Sequence, residues 1–285
     1  MRIVLVGTLL AGLAQASAQQ VDVRQTARAL APGELVLVTI DPNADAGAVH
    51  VRAFDRDWPA YRTGDRAWHA LIGIDLAAAP GDHPVTVRVD TSAGVRRGGL
   101  TLAVAAKTFP TRTLTVDPAF VNPPASAEPR IARERAELAS LWRTFTPAPR
   151  WTGPFVKPVP HAANSAFGAR STFNGQPRSQ HTGADFNSPA QTPILSPAAG
   201  RVLLAADLYF TGGTVMIDHG AGLISLFAHL SAIDVSKGAD VSAGDRIGRV
   251  GATGRVTGPH LHWTVRVQGV SVDPLSLLQV LGESR

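Results

Sequence analysis

The sequence predicts an all-β protein in two units joined by a helix. Three observations carry this: short runs rich in β-branched residues recur in both halves, clusters of Pro, Gly, Asp and Asn separate them, and one stretch between the halves has helical spacing. A chain of 285 residues is long enough for two domains at about 100 to 200 residues each.

Residues 1–18 read as a secretory signal peptide, with Arg2 ahead of an apolar stretch at 3–14 and then Ala16-Ser17-Ala18. The stretch is shorter than the roughly 20 residues of a membrane span. Export to the periplasm or the exterior is therefore expected, without stable membrane insertion. Residues 19–106 contain strand-like runs such as 34–40 and 83–89 around turns such as Asp41-Pro42-Asn43, which predicts a small immunoglobulin-like β-sandwich. His50, His69 and His83 are scattered through it and read as packing or surface residues. Trp58, Tyr61 and Trp68 read as core aromatics in preference to a sugar-stacking face.

Residues 107–150 form a linker, proline-rich around Asn122-Pro123-Pro124. A helix opens at Glu128-Pro129 and keeps Ile131, Leu138, Leu141, Trp142 and Phe145 near one face. Residues 151–285 return to short strands and glycine turns, ending in a brief helix at 275–281 that Asp273 is placed to cap.

An exported chain is free to form disulfides, yet this one has no cysteine. Any metal site is thereby restricted to His, Asp and Glu, a donor set that favours zinc. The net charge of +5 and isoelectric point near 10.4 suit an anionic polymer as partner. No Lys/Arg run is present, which argues against nucleic acid.

Three of the histidine settings stand out: His181 with Asp185, His229 alone, and His260 with His262. The alternation of strands sends His260 and His262 to one face, and Leu261 and Trp263 to the other. In residues 224–230 an apolar row of Ile224, Leu226, Ala228 and Leu230 leaves His229 facing away from it. A straight strand would hold His181 and Asp185 about 13 Å apart, so the chain is expected to curl between them, with Gly183 allowing the bend. His161 and His219 read as structural.

Taken together, the motifs Ser179-Gln180-His181-Thr182-Gly183-Ala184-Asp185, Ile217-Asp218-His219-Gly220, Phe227-Ala228-His229-Leu230, Thr253-Gly254-Arg255-Val256-Thr257-Gly258-Pro259-His260-Leu261-His262 and Val272-Asp273-Pro274 closely resemble the lysostaphin/LytM-like metallopeptidases of the M23 type. The resemblance covers about residues 167–278. It implies a groove-lined antiparallel sheet and one zinc ion per chain, held by His181, Asp185 and His262. It further implies that His229 and His260 are catalytic, exchanging protons from an unperturbed pKa near roughly 6.5 while zinc polarises the scissile carbonyl and acidifies a water. The implied activity is zinc-dependent endopeptidase cleavage of peptidoglycan stem peptides or cross-links, with D,D-cleavage favoured. Peptidoglycan is the implied partner, and a monomer is expected.

By motif order Arg170, Asn174, Arg178 and Tyr209 lie near the groove and are expected to bind substrate. The chain departs from the family pattern at Phe227, where many relatives have Tyr, and has no Tyr between 150 and 208. That leaves His229, Arg178 or Asn174 to stabilise the oxyanion. The alternative is a catalytically silent wall-binding protein that activates a separate amidase, but such proteins lose zinc ligands and all five site residues are present here. A general protease acting on folded proteins is a second rival. Because every chemical motif lies beyond Phe167, deletion of residues 19 to about 125 is expected to leave an active fragment.

Overall fold

The structure, a computed structural model, describes residues 21–62, 67–163, 167–177 and 180–282. The expected signal peptide and Arg178 lie outside them.

Strands β1 (Asp22–Ala27), β2 (Leu35–Asp41), β3 (Ala46–Ala53), β4 (Arg56–Arg62), β5 (Trp68–Gly73), β6 (Gly81–Thr91) and β7 (Gly94–Val104) form an antiparallel sheet in the order β1-β2-β5-β4-β3-β6-β7. Period-two patterning drives them: in β6, Val85, Val87 and Val89 are buried while Thr86 and Arg88 are exposed. Strand β4 changes partners along its length. Residues 56–59 pair with β3 and residues 60–62 with β5, so the sheet turns a corner beside Pro59 and folds over itself. The order β1-β2-β5-β4 on one side and β3-β6-β7 on the other is the strand order of the immunoglobulin arrangement expected from the sequence, with β4 pairing into both. Trp58 and Tyr61 are core residues, and the Trp58 indole donates to the Ala53 carbonyl at 3.0 Å.

The connecting segment carries β8 (Thr111–Leu114), α1 (Pro118–Val121) and α2 (Glu128–Leu141). The amphipathic spacing of α2 lays Leu138, Leu141 and Trp142 against the sheet residues Met216, Ile224 and Leu226. Phe145, expected on the same face, lies past the helix end and is 48% exposed.

Beyond it, β9 (Arg170–Phe173) and β10 (Gln176–Pro177) form a hairpin, which β8 joins in parallel. The main sheet of this half runs β11 (Gly183–Phe186), β18 (Leu261–Val267), β15 (Leu223–Ile233), β14 (Gly212–Gly220), β13 (Gly200–Leu208) and β16 (Asp240–Val241). Alongside it β12 (Pro193–Leu195) pairs with β17 (Arg246–Val250), which also pairs with β15, and β19 (Val270–Val272) pairs with β18. Helix α3 (Pro274–Leu281) closes the chain, and Asp273 caps it by accepting from the Leu275 amide at 2.9 Å.

The two halves share one continuous hydrophobic core. Across their junction Arg28 Nη2 donates to Glu34 Oε1 and Asp273 Oδ2, each at 2.7 Å, and Lys107 Nζ lies 3.0 Å from Glu34 Oε1. The Leu35 amide donates to Ser276 Oγ at 3.0 Å. Deleting residues 19 to about 125 would uncover this core and leave Asp273 without Arg28, so the structure speaks against the self-sufficient fragment expected from motif positions.

Burial by itself would push the Glu34 carboxyl up, but hydrogen bonds and charge from Arg28 and Lys107 outweigh it and hold the group below its ordinary 4.5. A depressed carboxylate contributes stability that is present above its unfolded pKa and is lost as pH falls through the folded value. Denaturation midpoints should therefore fall as pH drops below 4.5, with a flatter profile in Glu34→Gln. Arg28→Met, which leaves two buried carboxylates underpaired, should cost about 3 kcal/mol at pH 7, read from urea unfolding.

Candidate metal centre and groove

Register places the chemistry. Asp185 on β11 lies opposite His262 on β18, and His262 lies opposite Ala228 on β15. Simple alternation would then turn His229, next to Ala228, toward the opposite face of the sheet from His262. A bulge prevents this. Between Gly213 and Val215 of β14 two steps match three on β15, from Leu230 to Phe227, and His229 takes a left-handed φ of 68°. The extra residue re-aims the side chain, bringing the His229 ring centroid to 4.9 Å from that of His260 and 5.9 Å from that of His262. The strained dihedral is anchored by the His229 amide, which donates to the Thr211 carbonyl at 2.8 Å.

His181 precedes β11, and its backbone pairs with the 168–169 segment: the His181 amide donates to the Ala169 carbonyl at 2.8 Å, and the Gly168 amide donates to the His181 carbonyl at 2.7 Å. This holds the residue out of line with β11, so that its Nε2 reaches 3.2 Å from Asp185 Oδ1. The curl expected here is present, but Gly183 serves it differently. Its φ is not in the left-handed region; a Cβ there would meet His262 Cε1 and the Trp263 carbonyl at 2.6 Å. Glycine is needed for close approach of the His262 ring.

His181 Nε2 and Asp185 Oδ1 each lie 2.9 Å from His262 Nδ1, and the cluster's ligand atoms all fall within 4.8 Å of one another. Two imidazole nitrogens and a carboxylate oxygen converging on one point fit a divalent metal ion of borderline softness. On the far side of the ring, His262 Nε2 lies 2.9 Å from Thr264 Oγ1. A proton on Nε2, donated to that hydroxyl, leaves Nδ1 as a lone pair facing the cluster.

The other two imidazoles are set the opposite way round. His229 Nδ1 donates to the Thr253 carbonyl at 2.9 Å, and His260 Nδ1 to the Gly258 carbonyl at 2.8 Å, so both present Nε2 as the free lone pair. His260 Nε2 stands 3.8 Å from Asp185 Oδ1. Burial, reinforced by the charges of His262 and His260, pushes the His229 pKa down to about 3, well below the near-neutral value expected from the sequence. Burial also lowers His262, against the pull of Asp185.

The groove of about 200 Å³ around these residues has a wall that the sequence did not suggest. Strand β8 pairs with β9 so that Arg112 lies opposite Ser171 and Leu114 opposite Phe173, and all four line the groove. Arg255 closes one end, its guanidinium carbon 4.8 Å from the Phe173 ring centroid and 4.9 Å from that of Phe210. The only local hint was the strand-like alternation of 111–114, and nothing in it announces a parallel partner 59 residues further on.

Of the expected substrate contacts, the described Arg170, Asn174 and Tyr209 do not line the groove. Arg170 is exposed at the start of β9, alternating with the groove-lining Ala169 and Ser171. Asn174, at a φ of 50°, accepts from the Val116 amide at 3.0 Å and donates to the Val116 carbonyl at 2.9 Å, so its amide fastens the β8 segment. Tyr209 gives its hydroxyl to the Ala119 carbonyl at 2.9 Å, and its amide donates to Glu134 at 2.8 Å; Phe210 lines the groove in its place. Arg178 lies outside the described residues. Of the two oxyanion candidates among the described residues, His229 lines the groove and Asn174 does not. His219 is buried away from it, bonded to Ala199 and Ser225.

The fold and cluster define an antiparallel-β protein with a metal-competent His/Asp/His site flanked by two further imidazoles. Residues 179–274 match the model of peptidase family M23. A solved structure from Pseudomonas aeruginosa assigned to peptidase M23 is 34% identical, with a TM-score of 0.66 over 87% of this chain and 95% of that one. The chain belongs to peptidase family M23. Among curated relatives, the DD-carboxypeptidase/endopeptidase Mpg of Neisseria meningitidis is 43% identical over 97 residues, covering 34% of this chain and 22% of that protein. The peptidoglycan DD-endopeptidase ShyA of Vibrio cholerae is 43% identical over 95 residues, covering 33% and 22%. The chain thus spans about a fifth of the length of these curated relatives.

If Thr264 fixes the His262 tautomer, Thr264→Val should keep the fold and weaken zinc affinity about 10- to 100-fold. Competition titration with a chelating dye checks this; unchanged affinity would remove Thr264 from the site.

Proposed function

We propose that this chain is a zinc-dependent endopeptidase that hydrolyses peptide bonds in peptidoglycan, with the D-alanyl cross-link between stem peptides as the favoured target. The observation that supports it most is the convergence of His181, Asp185 and His262 on one point while His229 and His260 direct free Nε2 atoms into the same groove. The preference for D,D-cleavage draws on the relatives named as DD-endopeptidases. Export follows the leader-like residues 1–18, as a wall substrate requires; no described helix is long and apolar enough to cross a membrane.

In this reading His181 Nε2, Asp185 Oδ1 and His262 Nδ1 hold the zinc ion, which when bound acts as a Lewis acid toward the scissile carbonyl and lowers the pKa of a water to about 7. The chain's own residues do the rest. His229 is neutral at working pH, and its imidazolium is disfavoured by burial, so a proton accepted at Nε2 is readily given up to the departing amine. His260, on the side of the cluster where Asp185 stands, presents a second Nε2 that orients the attacking water, whose proton passes to His229 Nε2 and from there to the departing amine. Ser171, Phe173 and the β8 residues Arg112 and Leu114 flank the peptide and restrict its path. The silent wall-binding alternative is disfavoured because no ligand has been lost.

Two sets of substitutions separate metal holding from proton handling. His181→Ala, Asp185→Ala and His262→Ala should hold zinc only weakly and lose hydrolysis. His229→Ala and His260→Ala should retain zinc and lose about 10² or more in turnover. Elemental analysis paired with mass spectrometry of digested muropeptides reads both quantities. Full zinc occupancy in the first set, or wild-type turnover in the second, would overturn the assignment.

A further inference from the structure

Strand β18 continues past the cluster on the same face. His262 and Thr264 are followed in alternation by Arg266, which lies opposite Ile224 just as His262 lies opposite Ala228. Four residues of strand place Arg266 about 13 Å from His262. There α2 roofs the sheet, and between them is a second cavity of about 340 Å³. Phe210 and Thr211 line both this cavity and the groove, so the two are neighbours.

The lining includes the apolar Leu138, Trp142 and Leu208 together with two guanidinium groups, Arg135 and Arg266. Arg266 stacks on Trp142 at 4.3 Å. Its Nε is enclosed without a hydrogen-bond partner, and burial pushes its pKa down. The one carboxylate in the lining, Glu134, is already engaged: Oε1 takes Arg130 at 2.5 Å and Oε2 the Tyr209 amide at 2.8 Å. Neither Arg135 nor Arg266 has an acidic partner among the described residues. A part-buried guanidinium with no acidic partner is costly, and an anion in the cavity would relieve that cost.

We propose that this cavity is a carboxylate-anchoring subsite for the acidic peptide whose scissile bond lies at the metal cluster. It rests on the peptidase reading for the identity of the peptide. The anchored carboxylate therefore lies about 13 Å from the metal cluster. A cross-linked stem peptide has the length and the free carboxylates to span that distance, and its methylene groups match the apolar walls. Arg266 meets the anion from the sheet floor with a planar, multi-donor head. Arg135 meets it from the helix. The subsite selects substrate on a side group remote from the chemistry, where binding energy contributes to orientation.

The test uses the full-length chain prepared without metal, so that no bond is cut and binding is read apart from turnover. The probes are a synthetic D-alanyl-linked pair of stem peptides with free carboxylates and the same peptide with every carboxylate amidated. Calorimetry should give the wild type at least a ten-fold preference for the acid form. Arg135→Met, on the exposed helix surface, and Arg266→Met should each reduce that preference at least three-fold, and the double variant should bring it near the level set by the groove alone. Arg266→Lys serves if Arg266→Met misfolds by circular dichroism, and should lose part of the preference. A preference unchanged in Arg135→Met and in the folded Arg266 variant overturns the subsite. Absence of cleavage by zinc-loaded wild type, with the acid preference intact, would instead overturn the peptidase reading and leave the subsite standing.

Discussion

The register of three antiparallel strands, with Asp185 opposite His262 and His262 opposite Ala228, is the constraint on which the rest of the site depends. Backbone hydrogen bonds fix that register on both sides of β18, and the buried Phe227–Trp263 stack at 6.0 Å locks the reverse face of the same strands. A one-residue slip would send the His262 ring into that core and Trp263 into the groove. With the register fixed, one bulge is enough to add His229, and one closely packed glycine is enough to admit the His262 ring. The site is thus built on the rigid part of the molecule, where small displacements are resisted from two faces.

The amino-terminal half and the connector take part in that rigidity. Asp273 joins the two halves: its carboxylate caps α3 through one oxygen and receives Arg28 through the other, so the motif that ends the family match is also a bond to the neighbouring half. The connector then returns across the molecule twice. It adds β8 as a groove wall and α2 as a cover over the sheet floor, so part of the surface that meets substrate comes from outside residues 179–274. Members of the family that share the ligand set can differ in specificity through such additions, since the chemistry leaves the walls free to vary.

Local patterns were legible where local physics decides. The α2 face was readable because helical spacing fixes which residues share a side, and the Asp273 cap because an acidic side chain before Pro274 has few better uses. His260 and His262 followed from strand alternation. His229 did not: alternation places it on the wrong face, and only a bulge set by the mismatch between β14 and β15 corrects this. The partner change within β4 and the parallel pairing of β8 are non-local in the same way, since each depends on which strand arrives alongside. Asn174 and Tyr209 lie near the groove, as motif order suggested, but polar side chains there are used to fasten the connector. Arg112 and Arg266 gave no signal because a single arginine in a strand is ordinarily a solvent-facing residue.

X-ray absorption on the zinc-loaded protein tests the central claim most directly, because it counts the ligands on the ion itself. Two imidazoles and oxygen donors at about 2.0 to 2.1 Å, with no sulfur, are expected. The imidazole count should fall to one in His262→Ala and stay at two in His229→Ala. A count that falls in His229→Ala, or that is unchanged in His262→Ala, would contradict the division between the residues that hold the metal and those that move the proton.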